Sequence, residues 1–374
     1  MSRVLIVGNN DGGLFFFRIE LLEKLEQEGF EVHFTVPYGD KVEEIKQTGA
    51  QYHEVELDRR GMNPRKDLKL ICAYRKLLKE VSPDLILTYT IKPNIYIGIL
   101  ARLKKIPCIA TVTGLGSALQ NESGRKAKLI KKMYQNSLKR AKAVFFQNQA
   151  NKDFFLSEKL VEKAQARLVN GSGVNTEKFS PQTVQAEEHS GTNFLFIARI
   201  MREKGIFEYM QAAKEVKSKY PDTKFQILGF FDENSVKLEI EKGVEAGYLE
   251  YLGVSGDTRR EMAHADCIVL PSYHEGMSNV LLEGAASGLP LIASDVPGCK
   301  EVIEDGQTGF LCNVQDGKSL AGAMKRFLCL SIEQRKIMGQ LGRQKIQREF
   351  DRKLVVEKYM QEIYSLILTE KDKD

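Results

Sequence analysis

NFLFIARIMREKGIFEYMQAAKEVKSKYPDTKFQILGF (193–230) decides the fold. NFLFIARI is apolar along its length, residues 206–219 place apolar side chains at helical spacing, and TKFQILGF is apolar again. Strands that are apolar throughout, joined by helices, belong to a parallel sheet covered on both faces. The alternation continues downstream through a helix near 233–246, LEYLGV (249–254), DCIVLPS (266–272), a helix from about 277, LPLIAS (289–294) and GFLC (309–312). Beyond 316 the pattern is helical, with breaks near Leu330 and Phe350.

The same reading holds upstream. RVLIVG (3–8) precedes a helical stretch 14–29, then come EVHFTVP, YHEVEL, a helix near 67–81 and DLILTYT (84–90). A helix near 94–104, IPCIATVTG (106–114), a long helix near 124–141 and AVFFQN (143–148) follow. Residues 171–192 are polar, contain Gly, Pro and Ser, and read as a linker. The 374 residues therefore divide into two α/β doubly wound domains, 1–172 and 173–350. Ligands of such sheets bind outside the carboxyl ends of the strands, and two domains facing a cleft make a small-molecule site.

Composition narrows the function. The chain is 43% hydrophobic and 28% charged, which is globular, and no run nears the roughly 18 apolar residues of a membrane span. MSRVLIVG leads straight into a strand, so no signal peptide is expected. Six scattered cysteines read as reduced thiols of a cytoplasmic protein. A net charge of +5, with no aromatic-rich basic motif, gives no case for nucleic acid. The five histidines do not cluster, and the lone Asp-x-Asp, Asp372–Asp374, lies in the charged tail, so no metal is expected. Gly-x-Ser-x-Gly is absent, which excludes the serine-hydrolase elbow.

The chemistry concentrates in PSYHEGMSNVLLEGAASGLP (271–290) and ARIMREKG (198–205). Glu275 and Glu283 lie eight positions apart, about two helical turns, so Glu283 sits on the face of the helix start. The N–H groups of Met277, Ser278, Asn279 and Val280 are expected to be open donors there, a cradle for a diphosphate. Glu283, set among apolar and small residues, needs a partner or a ligand, and a ribose fits. Glu275, at the mouth, suits the hydroxyls of a sugar. Arg199 and Lys204, at a strand end, suit a phosphate that gains charge as it leaves. Gly229–Phe231 and Tyr251–Val254, with Gly229 and Gly253, are expected to shape the nucleotide pocket.

In the first half, GNNDGGLFFF (8–17) is not Gly-x-Gly-x-x-Gly, and no acid follows the second strand in the place a nicotinamide site needs. Gly12 and Gly13 are expected to admit a ligand close to the backbone. Lys92 and Asn94 of TYTIKPN, and Thr113 and Gly114 of TVTGLGS, are expected on the same rim. Residues 124–144 carry Arg125, Lys126, Lys128, Lys131, Lys132, Lys139, Arg140 and Lys142 with no acid, interleaved with Leu129, Met133, Tyr134 and Leu138. That is a basic amphipathic helix suited to an anionic membrane surface.

Arg199, Lys204 and the Glu-x7-Glu pair resemble the set of the retaining glycosyltransferases of family 4, and the two-domain plan resembles the GT-B fold. TYTIKPNIYIGILARLKKIP and TVTGLGS are similar to the bacterial capsule, O-antigen and protein-glycan subgroup, which includes polyprenyl-diphosphate-linked N-acetylgalactosaminyltransferases. The resemblance implies a metal-independent transfer from a UDP-sugar to a lipid-linked sugar, in which Arg199 and Lys204 hold the diphosphate. It further implies that Glu283 holds the ribose, that Glu275 contacts the donor sugar, and that 351–374 crosses back to the first domain. The protein is then expected to be cytoplasmic and peripheral on the inner face of the plasma membrane. Thr113 stands where many members have His, so a role for that His does not carry over. A nucleotide-sugar epimerase and a non-catalytic binding subunit are the competing readings.

Overall fold

The computed structural model describes residues 2–58, 63–115, 119, 124–182 and 191–371. It divides into two compact units, Met1–Ser172 with Lys353–Asp374, and Gly173–Arg352.

Unit 1 holds a seven-stranded sheet in the order β3-β2-β1-β4-β5-β6-β7, and every pairing is parallel. The strands are β1 (Arg3–Val7), β2 (Glu31–Thr35), β3 (Gln51–Tyr52), β4 (Leu85–Tyr89), β5 (Cys108–Val112), β6 (Ala143–Phe146) and β7 (Ala166–Leu168). Among its described residues the helices are α1 (Asp11–Gln27), α2 (Val42–Lys46), α3 (Pro64–Val81), α4 (Ile91–Lys104), α5 (Arg125–Leu138) and α6 (Gln149–Ser157). The uninterrupted apolar strands are explained by burial on both faces. Along β1, Val4 and Ile6 enter one core, and Leu5 and Val7 enter the other. The late helix Arg352–Lys371 adds Val355, Tyr359, Met360 and Ile363 to the first of these cores. Tyr359 Oη lies 2.6 Å from Thr111 Oγ1 on β5, which ties the late helix to the sheet.

Unit 2 holds a six-stranded parallel sheet in the order β10-β9-β8-β11-β12-β13. Its strands are β8 (Asn193–Ile197), β9 (Lys224–Leu228), β10 (Glu250–Gly253), β11 (Cys267–Leu270), β12 (Leu291–Ser294) and β13 (Gly309–Cys312). The principal helices are α7 (Ile206–Lys219), α8 (Asn234–Glu245), α9 (Arg259–Ala263), α10 (Asn279–Ala286), α11 (Gly317–Leu328) and α12 (Ile332–Glu349).

Each sheet reverses direction once. In unit 2 the chain leaves β8 toward β9, but leaves β11 toward β12 on the other side. In unit 1 the equivalent gap lies between β1 and β4. These are the switch points at which doubly wound sheets open a crevice at their carboxyl edge.

Candidate active site

The loops after β8 and β11 meet at the unit 2 switch point. After β8 the chain makes one 3-10 turn, Arg202–Lys204, and then Gly205 adopts φ +74°. A Cβ on Gly205 would stand 2.0 Å from Pro271 O, so only glycine lets this turn lie against the β11 exit. Tyr273 N donates to Glu203 O at 2.9 Å, which locks the two loops together. Lys204 is thereby brought to Glu275, Nζ to Oε1 at 2.5 Å, with both side chains largely buried. A largely desolvated pair of this kind fixes both groups and strengthens their field.

Arg199 stands on the β9 side of the gap. Its Nη1 donates to Asp232 Oδ2 at 2.9 Å. Asp232 reaches it because the exits of β8 and β9 are zipped: Ile200 N donates to Phe230 O at 2.8 Å, and Asp232 N to Ile200 O at 3.1 Å. Gly229, at φ +150°, makes the close approach possible, since a Cβ there would stand 1.8 Å from Ala198 O. Gly253, at φ +82°, accepts the Gly229 N–H at 2.8 Å. Arg199 remains half exposed and can turn toward an anion.

The helix start corrects one expectation. The first helical residue is Asn279, and Ser278 is the N-cap, its Oγ accepting from Leu281 N at 3.4 Å. The Ser278 N–H is already given to Gly298 O at 2.9 Å, and Met277 is buried in the unit 2 core. The cradle therefore loses the Ser278 N–H, because serine caps better than it serves inside the helix, and the N–H groups of Asn279 and Val280 open the helix proper. The Asn279 side-chain oxygen is buried without a hydrogen-bond partner.

Glu283 sits one turn further along α10, half-buried. Burial pushes its carboxyl up to about 7, although the cations of Arg352 and Lys178 work in the opposite sense. A carboxyl set so close to neutrality gains from donors that arrive with a ligand.

The loop after β12 also bears on Glu275. Gly298, at φ +84°, presses on the Glu275 backbone: a Cβ there would meet Glu275 O at 2.7 Å. Its N–H is held by Glu301 Oε2 at 2.7 Å. Gly in VPGCK was the available signal, and positive φ was the property to suspect.

Unit 1 rearranges several expected rim residues. Gly12 and Gly13 belong to the first turn of α1, not to a loop, with Asn10 as N-cap. Neither has positive φ, and a Cβ on Gly13 would meet the Asn10 side chain at 2.9 Å, so the space serves the cap. Lys92 lies in the first turn of α4 and pairs with Asp67 of α3 at 2.9 Å, both largely buried. Its charge is neutralised inside the unit. Asn94 is wholly buried and donates to Thr111 O at 2.8 Å, so it braces β5 from beneath. Thr113 and Gly114 lie just past β5. TVTGLGS beyond Leu115, residues 183–190 of the linker and Asp372–Asp374 lie outside the described residues.

Arg18 was not anticipated. It is buried on α1, its guanidinium stands 4.7 Å from the centre of the Tyr89 ring, and its Nε has no hydrogen-bond partner. With the Gln147 amide oriented to satisfy its neighbours, Gln147 accepts from Arg18 and donates to Thr113 O at 3.2 Å. Arg18 thus holds the stretch that carries Thr113.

The basic helix is also revised. Its apolar stripe, including Ile130, Tyr134 and Leu138, packs into the unit 1 core, because α5 must cover α4 and the sheet. Lys131 pairs with Glu158 at 2.9 Å. What faces solvent is a cationic surface with Arg125, Lys128, Lys132 and Lys139, and Leu129 among them. No described helix is long and apolar enough to cross a membrane.

Residues 191–329 match the family model described as Glycosyl transferases group 1, and residues 3–148 match the model described as Glycosyl transferase 4-like. The chain is 28% identical, over 96% of its length and 97% of the relative's, to the N,N'-diacetylbacillosaminyl-diphospho-undecaprenol alpha-1,3-N-acetylgalactosaminyltransferase of Campylobacter jejuni. It is 26% identical, over 71% of its length and 72% of the relative's, to the UDP-Gal:alpha-D-GlcNAc-diphosphoundecaprenol alpha-1,3-galactosyltransferase of Escherichia coli. Among solved structures, Anabaena HepE in complex with UDP shares the fold, with a TM-score of 0.81 at 15% identity over 98% of this chain and 100% of that one.

Proposed function

Because the chain belongs to the group 1, family 4-like glycosyltransferases of GT-B fold, we propose that it moves a sugar from a UDP-sugar to a polyprenyl-diphosphate-linked saccharide, with retention at the anomeric carbon. The observation that carries this reading is the meeting of Lys204, Glu275 and the first turn of α10 at one switch point. The Campylobacter and Escherichia relatives bear names that specify diphospho-undecaprenol sugars, and one specifies UDP-galactose. The sugar we assign is an N-acetylhexosamine.

In this reading the donor diphosphate lies between Arg199, Lys204 and the N–H groups of Asn279 and Val280. The bond from the anomeric carbon to the phosphate oxygen breaks, and the negative charge that develops is met by two cations and a helix start. Lys204 turns from Glu275 to the phosphate, and Glu275 is then free to take sugar hydroxyls. Glu283 accepts from the ribose diol. The acceptor hydroxyl attacks from the face of the departing group, its oxygen bonds to the anomeric carbon, and its proton passes to a phosphate oxygen. No metal is required, since protein cations neutralise the diphosphate. The protein works on the inner face of the plasma membrane, where such acceptors are presented.

The test is to incubate the protein with a panel of UDP-sugars in EDTA, with and without a lipid-diphosphate-linked sugar, and to follow free UDP. Release should require the lipid, vanish in Glu275→Ala, and yield a product whose anomeric configuration by NMR matches the donor. Lipid-independent appearance of an isomerised sugar would replace the transferase with an epimerase.

A further inference from the structure

Unit 1 carries a second, separate concavity. It is a groove of about 1120 Å³ between α5, α6 and the segment leading into β7. Its floor is aliphatic, with Leu129 49% exposed and Met133 beside it. Its rim carries Lys132, Lys139, Lys159 and Lys163, all exposed. The acid lining it is Glu162. Lys131, by contrast, is withdrawn from the rim by Glu158.

The position excludes the reacting sugar. Gln165, in the groove wall, donates to Leu138 O at 3.0 Å and to Ala141 O at 2.5 Å, just before β6 and β7 begin. Lys142 N donates to Cys108 O at the start of β5. The groove therefore sits toward the amino ends of these strands, whereas Thr113 and the unit 1 switch point are at the carboxyl ends. Lys159 adopts φ +53°, which turns the chain sharply at the rim.

Four cations around a flexible aliphatic floor fit an amphiphile with one anionic head. Nucleic acid would want stacking surfaces, and none of the lining side chains is aromatic. We infer that this groove seats an anionic phospholipid of the membrane, its phosphate among the lysines and the upper part of an acyl chain on Leu129 and Met133. Lysine stems can cover the chain while their ammonium groups reach the phosphate. The inference deepens the proposal of a membrane-borne acceptor and rests on it for the presence of a membrane. It also replaces insertion of an amphipathic helix by capture of a lipid, since the apolar stripe of α5 is already in the core.

Sedimentation with vesicles of phosphatidylcholine, alone or with about one-third phosphatidylglycerol, tests it. Wild type should bind only the anionic vesicles. Lys139→Gln/Lys163→Gln should weaken binding by about thirtyfold, at roughly fivefold per lysine. The charge-matched Arg125→Gln/Lys128→Gln, on the same helix but outside the groove, should change it far less. Leu129→Ser should weaken binding without altering charge. An equal loss in the two charge-matched pairs, or equal binding to both vesicle types, would overturn the groove in favour of diffuse attraction or none. Release of the protein from vesicles by a detergent-dispersed lipid-diphosphate-linked sugar would overturn the assignment to phospholipid. Groove-dependent binding with no turnover of that dispersed acceptor by wild type would overturn the function proposed above and leave the groove standing.

Discussion

Lys204 Nζ and Glu275 Oε1 lie 2.5 Å apart although 71 positions separate them in the chain. One residue leaves β8 and the other leaves β11, and only the reversal of strand order makes them neighbours. If the pair is the donor-side switch, removing either member should lower kcat/KM by about 100- to 1000-fold. Lys204→Ala/Glu275→Ala should be little worse than the poorer single variant, because the two act as a unit. Steady-state kinetics of the three variants measure this.

Glu283 gives a pH prediction. Its folded-state carboxyl is raised from 4.5 to about 7, so the folded chain holds a proton that the unfolded chain has released between those values. Stability therefore falls as pH rises through that window. Relative to Glu283→Gln, wild type should lose on the order of 2 kcal/mol between those limits, read by denaturant titration at each pH. Ribose hydroxyls donate to the carboxylate, so the ratio of wild-type to Glu283→Gln affinity for UDP should rise over the same window, the titration of the terminal phosphate at about pH 6 being common to both.

Arg199 is half exposed, and a surface pair with Asp232 is worth under about 1 kcal/mol. Arg199→Lys should leave the melting temperature unchanged and still lower kcat/KM at least about tenfold, because lysine lacks the fork that grips two phosphate oxygens. Loss of stability with activity intact would make the residue structural.

Lys92 should behave in the opposite way. Its pair with Asp67 is largely buried, so Lys92→Met should cost about 3–5 kcal/mol by stranding a carboxylate. Lys92→Met/Asp67→Leu should recover most of that in chemical denaturation.

Gly298→Ala should lower both stability and activity, since φ is +84° and the new methyl would press on Glu275. Gly322→Ala, in the middle of α11 with open space around its Cα, should be neutral or stabilise by up to about 1 kcal/mol. Thermal melts of the two variants separate backbone strain at the site from a general glycine effect.

The strands and most helices were legible because two-sided burial leaves an apolar run and one-sided burial leaves a helical stripe. The start of α7 at Ile206 and the break near Phe350 follow from pattern alone. The first turn of α10 was less legible, because Met277 and Ser278 look as helical as Asn279 until Gly298 O claims the Ser278 N–H. The partners Asp232 and Asp67 were not legible at all. Each is supplied by a distant segment, and no local period marks it. Lys92 and Lys204 look alike as sequence, both cations following a strand, yet one faces a buried aspartate on a neighbouring helix and the other a glutamate at the switch point.

Thr111 and Tyr359, 248 positions apart, meet within unit 1. During synthesis the ribosome must therefore make all of Gly173–Arg352 before it makes the helix that completes the first unit. Unit 2 is contiguous and can fold as it emerges, while the earlier-made sheet waits with one core open where Val355, Tyr359 and Ile363 will lie. The half of the chain made first is thus the half finished last, and its exposure to chaperones and proteases is set by the translation time of the other.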